Sequence, residues 1–203
     1  MKQGSEEWHR ARLGVMTASN AEYILAKKGT QGRQTYINKL VAQILTGQWE
    51  EISAPALAWG NENEDAAHSA YAFTVGEKAE KCSFIYGDET KRTGASPDGK
   101  TATKFFEIKC PFNSANYVDF VACGKIKPEW MKQVQFSMWV TGQNVWDFVQ
   151  YDPRVTQKMI HIVTIEKDAE THKLFDDAVP QMAMEIDIML DVFGAKFGEQ
   201  WTD

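Results

Sequence analysis

Ser96-Pro97-Asp98-Gly99, followed by Phe105-Phe106-Glu107-Ile108-Lys109, constrains this chain more than any other stretch. Pro97 and Gly99 bracket Asp98, which places it in or at a turn. Phe105 to Cys110 is a short apolar-aromatic run interrupted at Glu107 and Lys109. Its length and aromatics favour a strand, and Pro111 ends it. Two residues apart on a strand, Glu107 and Lys109 project from the same face. Burying a carboxylate and an ammonium there is costly unless they pair or hold a metal. A hairpin brings Asp98 beside Glu107, and two carboxylates that close repel unless a cation lies between them. Their oxygens are the ligands that Mg2+ and Mn2+ prefer. A lysine on that face can orient or activate a water, or stabilise charge on a phosphate. The pattern describes a metal-dependent phosphodiesterase centre. Taken separately, the two segments also describe a plain turn and a solvated ion pair.

At 203 residues, the chain is expected to form one domain, 1–203. Its 43% hydrophobic and 25% charged residues suit a soluble globular protein. It has no apolar run of about 18 residues, so no membrane span is expected. Met1 to Arg12 is polar and does not read as a signal peptide. Cys82, Cys110 and Cys123 lack metal-type spacing and read as free thiols in a reducing compartment. The formal net charge of -6 argues mildly against nucleic acid, although a basic channel can be local. The four histidines lie apart from any serine or cysteine motif, which leaves a hydrolytic triad without support. Without a glycine-rich phosphate loop before a helix, ATP hydrolysis is unsupported too.

Along the chain, a short helix to about Leu13 is followed by a turn at Gly14. A second helix starts near Thr17, capped by Thr17 or Ser19. The exposed amides of such a helix start suit a phosphate, and Arg12 could add a bidentate contact. An ordinary cap and a surface arginine fit as well. Ala26 to Gln34 reads as a polar loop, either solvated or touching a DNA backbone. Thr35 to Thr46 has helical apolar spacing. Ser53 to Gly60 leads into a helix over Asn61 to Phe73, with Glu62 and Glu64 near its start, where carboxylates favour the helix dipole. Lys81 to Tyr86 and Lys91 to Ala95 read as strands around a Gly87-Asp88 turn. With Phe105 to Cys110 they are expected to make a three-strand antiparallel core. Lys125 and Lys127 are candidate phosphate contacts. Pro128 starts a helix over Glu129 to Val140, with Gln133 off its apolar stripe. Val145 to Tyr151 and Met159 to Ile165 are strands, and Asp168 opens a long amphipathic helix that Pro180 kinks or splits.

The SPDG and EIKCPF segments resemble the PD-(D/E)xK nuclease core. Together with Ala11 to Ser19 (ARLGVMTAS), Leu57-Ala58-Trp59-Gly60, Gln133 to Thr141 (QVQFSMWVT), Tyr151-Asp152-Pro153-Arg154 and Phe197 to Trp201 (FGEQW), they are similar to the lambda exonuclease and YqaJ family of phage recombination exonucleases. The likeness spans nearly the whole chain in order. It implies an α/β fold with a restriction-endonuclease-like core, a central mixed sheet flanked by helices. It implies two Mg2+ ions, replaceable by Mn2+, held by Asp98, Glu107, the Ile108 carbonyl and Glu64. Lys109 and Gln133 would complete the catalytic group. Arg12, Ser19 and Ser96 would line a pocket for the 5'-phosphate, and Leu57 would wedge the duplex end; a core or loop leucine is the plain alternative. The implied activity is 5'-to-3' digestion of linear duplex DNA by a ring-shaped homotrimer in the cytoplasm, working with a single-strand annealing protein. An endonuclease or resolvase on the same core, and a non-catalytic DNA-binding module, are the alternatives.

Overall fold

The computed structural model describes residues 1–50 and 54–202; Ser53, which opens the Pro55 segment, and Asp203 lie outside the described residues. Helix α1 (Glu6–Ala11) is capped by Ser5, whose side chain accepts from the Trp8 N–H. The chain then enters strand β1 (Met16–Thr17). The sequence pattern predicts a helix start here, but the Thr17 N–H donates to the Tyr36 hydroxyl at 3.1 Å, and Thr17 makes no side-chain cap bond. A single 3-10 turn, Ala18–Asn20, leads to the four-residue helix α2 (Ala21–Ile24).

Helix α3 (Gln31–Thr46) begins inside the segment that reads as a polar loop. Arg33 is buried there and donates to the Ile24 carbonyl at 2.7 Å and to Glu185 at 3.3 Å, so it braces the core rather than facing solvent. Helix α4 (Pro55–Val75) starts earlier than the periodicity indicates, because Pro55 occupies its first turn, where a missing N–H costs nothing.

Strands β2 (Ile85–Tyr86) and β3 (Thr93–Ala95) form the expected hairpin. β3 also pairs in parallel with β1, giving a three-stranded sheet of order β1-β3-β2. The expected three-strand core with Phe105 to Cys110 does not form. Ser96-Pro97 interrupts the run, since proline has no N–H to give a ladder, and the chain crosses into a second sheet. That sheet contains β4 (Gly99–Lys100), β5 (Phe105–Lys109), β6 (Val145–Tyr151) and β7 (Ile160–Glu166) in the order β4-β5-β6-β7. Only β5 and β6 run parallel in it, joined by α5 (Ser114–Cys123) and α6 (Pro128–Thr141).

Strand alternation sorts β5 between two layers. Phe106 and Ile108 pack with Ala67 and Tyr71 of α4. Phe105 lies on the other face with Val134 and Met138 of α6, and Glu107 and Lys109 share that face. Beyond α6, a larger core joins Ile37 and Leu40 of α3 to Phe175, Met182 and Ile186 of helix α7 (Ala169–Val192). α7 runs as one helix through Pro180, which is exposed. Its buried stripe holds both halves together, each large side chain contributing about 1.5–3 kcal/mol on burial. Among the described residues, no helix is long and apolar enough to cross a membrane.

Candidate active site

The hairpin of β4 and β5 sets the site. Gly99 pairs with Phe106, so Asp98 stands one step before the ladder, opposite Glu107. A Cβ at position 99 would run into the Phe106 ring and lie 2.9 Å from both the Glu80 carbonyl and His68 Nε2. Only glycine fits there, and it fixes the residue before it. Asp98 Oδ2 accepts from the Ile108 N–H at 2.6 Å. Lys109 Nζ donates to Glu107 Oε1 at 2.7 Å and to Gln133 Oε1 at 3.2 Å. Gln133 Nε2 donates to the same Glu107 oxygen at 2.5 Å. Gln133, off the apolar stripe of α6, therefore turns toward β5 and closes a three-residue ring with Glu107 and Lys109.

Glu107 is 4% exposed, and its Oε2 is buried with no hydrogen-bond partner among the described residues. Burial raises the Asp98 carboxyl well above the ordinary range; the charge of Glu107, and more weakly that of Glu64, adds to this against the pull of Lys109 and the Ile108 N–H. Burial acts to lower the Lys109 ammonium, but the charges of Glu107 and Asp98 outweigh it and hold its pKa above the usual lysine value. Lys109 is therefore a cation at neutral pH. Burial, reinforced by Asp98 and Glu64, pushes the Cys110 thiol up to about 12, which removes it as a nucleophile.

Glu64 projects from α4 and is held by Lys81 at 3.0 Å; Lys81 also reaches Asp65 at 2.6 Å. Among the described residues, no three His, Cys, Asp or Glu side chains converge as a ready metal cage. The donor set nonetheless fits a hard divalent cation. It has an unpartnered carboxylate oxygen on Glu107 and a carboxylate on Asp98 whose charge its acidic neighbours disfavour.

Arg12 meets Ser96 two positions before Asp98. The Ser96 hydroxyl accepts from Arg12 Nη1 and from the Trp8 indole, each at 3.0 Å. The Arg12 guanidinium lies 4.0 Å from the Trp8 ring centre, and burial lowers its pKa to about 10. It lines a cavity of about 160 Å³ with Thr17, Asn20, Tyr36 and Lys39. Ser19 is exposed and bonds to its neighbours Thr17 and Asn20. Leu57 is 47% exposed on the first turn of α4.

Two participants are not legible from local pattern. Trp8 reaches Ser96 from 88 positions away, a pairing that no spacing rule reveals. Arg154 forks onto Asp152 at 2.8 and 2.9 Å and donates to the carbonyls of Pro111 and Phe112 at 2.9 and 3.0 Å. Its guanidinium sits 4.3 Å from the centre of the Trp59 ring. It ties the loop after β5 to the start of α4. The Tyr151-Asp152-Pro153-Arg154 segment is the only trace of this in the sequence.

Comparison with known proteins follows the same lines. The chain aligns with the alkaline exonuclease LHK-Exo of Laribacter hongkongensis at 34% identity and a TM-score of 0.85, over 94% of this chain and 96% of that one. A structure of LHK-Exo in complex with dAMP aligns at a TM-score of 0.81, over 94% and 98% of the two chains. A phage related exonuclease of Haemophilus somnus 129PT, 14% identical, shares the fold at a TM-score of 0.68 over 88% of this chain and 96% of that one. An uncharacterized Escherichia coli (strain K12) protein, ExoD, is 43% identical over 76 residues, 37% of this chain and 87% of that protein. The fold is the PD-(D/E)xK α/β core, with mixed sheets flanked by helices. A YqaJ-like viral recombinase domain spans residues 7–144, and the chain belongs to that family of phage-type exonucleases.

Proposed function

We propose that this protein is a Mg2+-dependent exonuclease that digests the 5'-ended strand of linear duplex DNA and leaves a 3' single strand for annealing. The observation that carries this reading is the group at the end of β5, where Asp98, Glu107, Lys109 and Gln133 meet with one buried carboxylate oxygen left over. Asp98, Glu107 and the Ile108 carbonyl would hold one Mg2+ or Mn2+, and Glu64, released from Lys81, would join Asp98 in holding a second. A bound ion supplies Lewis-acid chemistry: it acidifies water and neutralises charge on the phosphate.

The chain's own residues do the rest. Lys109, held cationic, positions the water and faces the charge that builds on the scissile phosphate. Gln133 fixes Lys109 and Glu107 in one geometry. Arg12, Ser96 and Ser19 hold the terminal 5'-phosphate and so set direction. Leu57 parts the last base pair. That LHK-Exo has been crystallised with dAMP is in keeping with a nucleotide 5'-phosphate as ligand. A homotrimer ring, a single-strand annealing partner and a cytoplasmic site of action belong to the same reading.

Digestion of a linear duplex labelled at each 5' end, with and without 5'-phosphate, in Mg2+ and in EDTA, tests it. Mg2+-dependent release of mononucleotides from phosphorylated ends, with a closed circle untouched, is the expected result. Cutting of the circle would move the reading to an endonuclease or resolvase. Binding without cleavage would move it to a DNA-binding module.

A further inference from the structure

Arg154 links two segments that each carry an exposed apolar side chain. On one side lies the start of α4, whose Trp59 ring sits beneath the guanidinium, two positions after the exposed Leu57. On the other lies Phe112, three positions after Lys109 and 54% exposed. Leaving an aromatic ring in water is unfavourable, yet the backbone that carries Phe112 is tightly held. Its carbonyl and that of Pro111 each accept from Arg154, which is itself clamped by Asp152, a residue with no exposed surface. The next residue, Asn113, caps α5 by accepting from the Ala115 N–H at 2.9 Å. Fixed backbone on both sides and an open ring face are the requirements of a preorganised stacking platform.

We propose that Phe112 is a substrate-positioning residue that stacks on a nucleobase beside the scissile phosphate. The inference rests on the nuclease reading above and adds a contact to it. Aromatic platforms suit a sequence-tolerant enzyme, since every base has a π face. The platform follows closely on the catalytic strand along the chain, since Cys110 and Pro111 alone separate Lys109 from Phe112. Arg154 keeps the ring in register with Lys109 as the strand is drawn through.

The test compares wild type with Phe112→Ala, Phe112→Leu and Phe112→Trp on phosphorylated linear duplex, with an abasic residue placed in turn at each of the first few nucleotides. Phe112→Ala is expected to lose between about fivefold and a hundredfold in kcat/KM on intact DNA. Phe112→Trp is expected to recover that loss, and Phe112→Leu is not. One abasic position should erase the difference between wild type and Phe112→Ala. A second readout avoids turnover altogether. In EDTA, the fluorescence of 2-aminopurine at that same position is expected to be quenched on binding to wild type and to Phe112→Trp, and to stay bright on binding to Phe112→Ala. An equal loss at every abasic position, full activity in Phe112→Leu, or the same quenching in wild type and Phe112→Ala would overturn the platform. Because wild type is assayed alongside, an active wild type with an unaffected Phe112→Ala sinks this inference alone. An inactive wild type sinks the nuclease reading, and this one with it.

Discussion

Two buried carboxylates on adjacent strands have opposite fates. Asp147 of β6 stands beside Phe106, and Glu107 of β5 stands beside Phe148, so they face opposite sides of one sheet. Asp147 is 2% exposed and fully satisfied. Its Oδ1 accepts from Lys104 at 3.0 Å and Thr164 at 2.6 Å; its Oδ2 accepts from Tyr71 at 2.9 Å and again from Lys104 at 3.2 Å. Glu107 is buried almost as deeply, but among the described residues both of its donors crowd one oxygen and leave the other bare. A closed network of this kind anchors α4 to the sheet through Tyr71. An open one stores unfavourable electrostatics that a ligand can relieve. Burial alone does not tell these two acids apart; the count of donors per oxygen does.

On that distinction, the two sites respond oppositely to mutation. Lys109→Ala and Asp98→Asn should each lower turnover on linear DNA by on the order of a thousandfold or more. Asp98→Asn should also raise the thermal midpoint in EDTA, because it removes repulsion with Glu107 and Glu64. Normal turnover in Lys109→Ala would end its catalytic assignment. Asp147→Ala is the mirror image. It strips Lys104, Tyr71 and Thr164 of their shared acceptor and should cost about 2–4 kcal/mol in urea unfolding. Its surviving folded fraction should keep near-normal kcat, and a large kcat loss without destabilisation would break the contrast.

How far the sequence reveals each site differs in the same way. The two-residue spacing of Glu107 and Lys109 and the Pro-Asp-Gly turn are local, so the hairpin joining Asp98 to Glu107 is legible from pattern. The strands Val145 to Tyr151 and Ile160 to Glu166 are legible too, because their apolar runs are long. The sheet assignment of β3 is not. It depends on a parallel partner some 77 positions upstream, Met16 against Thr93, and a two-residue strand has no periodicity. Gln133 is invisible to periodicity, since a polar residue off a helical stripe ordinarily faces water; only the family likeness directs attention to it. Arg33 misleads in the other direction, its polar neighbours masking a buried role.

The pH response separates the sites more gently. Asp98 has a folded pKa above its unfolded value, so the stability it contributes is fully present below the unfolded pKa and is lost as pH rises through the folded one. In EDTA, wild type should lose stability as pH climbs from the ordinary carboxylate range toward the raised Asp98 value. Asp98→Asn should flatten that slope. Mg2+ should offset it as well, by favouring the ionised carboxylate, and the thermal midpoint in a pH series with and without Mg2+ measures both. An identical slope in wild type and Asp98→Asn would assign the effect elsewhere.

The smallest effects give the sharpest contrast, because each removes one donor from one carboxylate. Thr164→Val takes a single hydroxyl from Asp147 while Lys104 and Tyr71 remain, and it should cost about 1 kcal/mol, the net worth of one hydrogen bond. Its digestion rate should not change. Gln133→Leu takes a donor from Glu107, whose Oε1 keeps Lys109. Because Gln133 lies at the edge of an already unsatisfied group, its removal should shift stability by about 0.5 kcal/mol or less. It should still lower kcat, since Lys109 loses the acceptor that orients it. Urea unfolding and initial digestion rates on the two variants, taken side by side, decide the matter. Matching stability losses with matching rates would mean that both acids are structural and that the unpartnered oxygen of Glu107 carries no functional meaning.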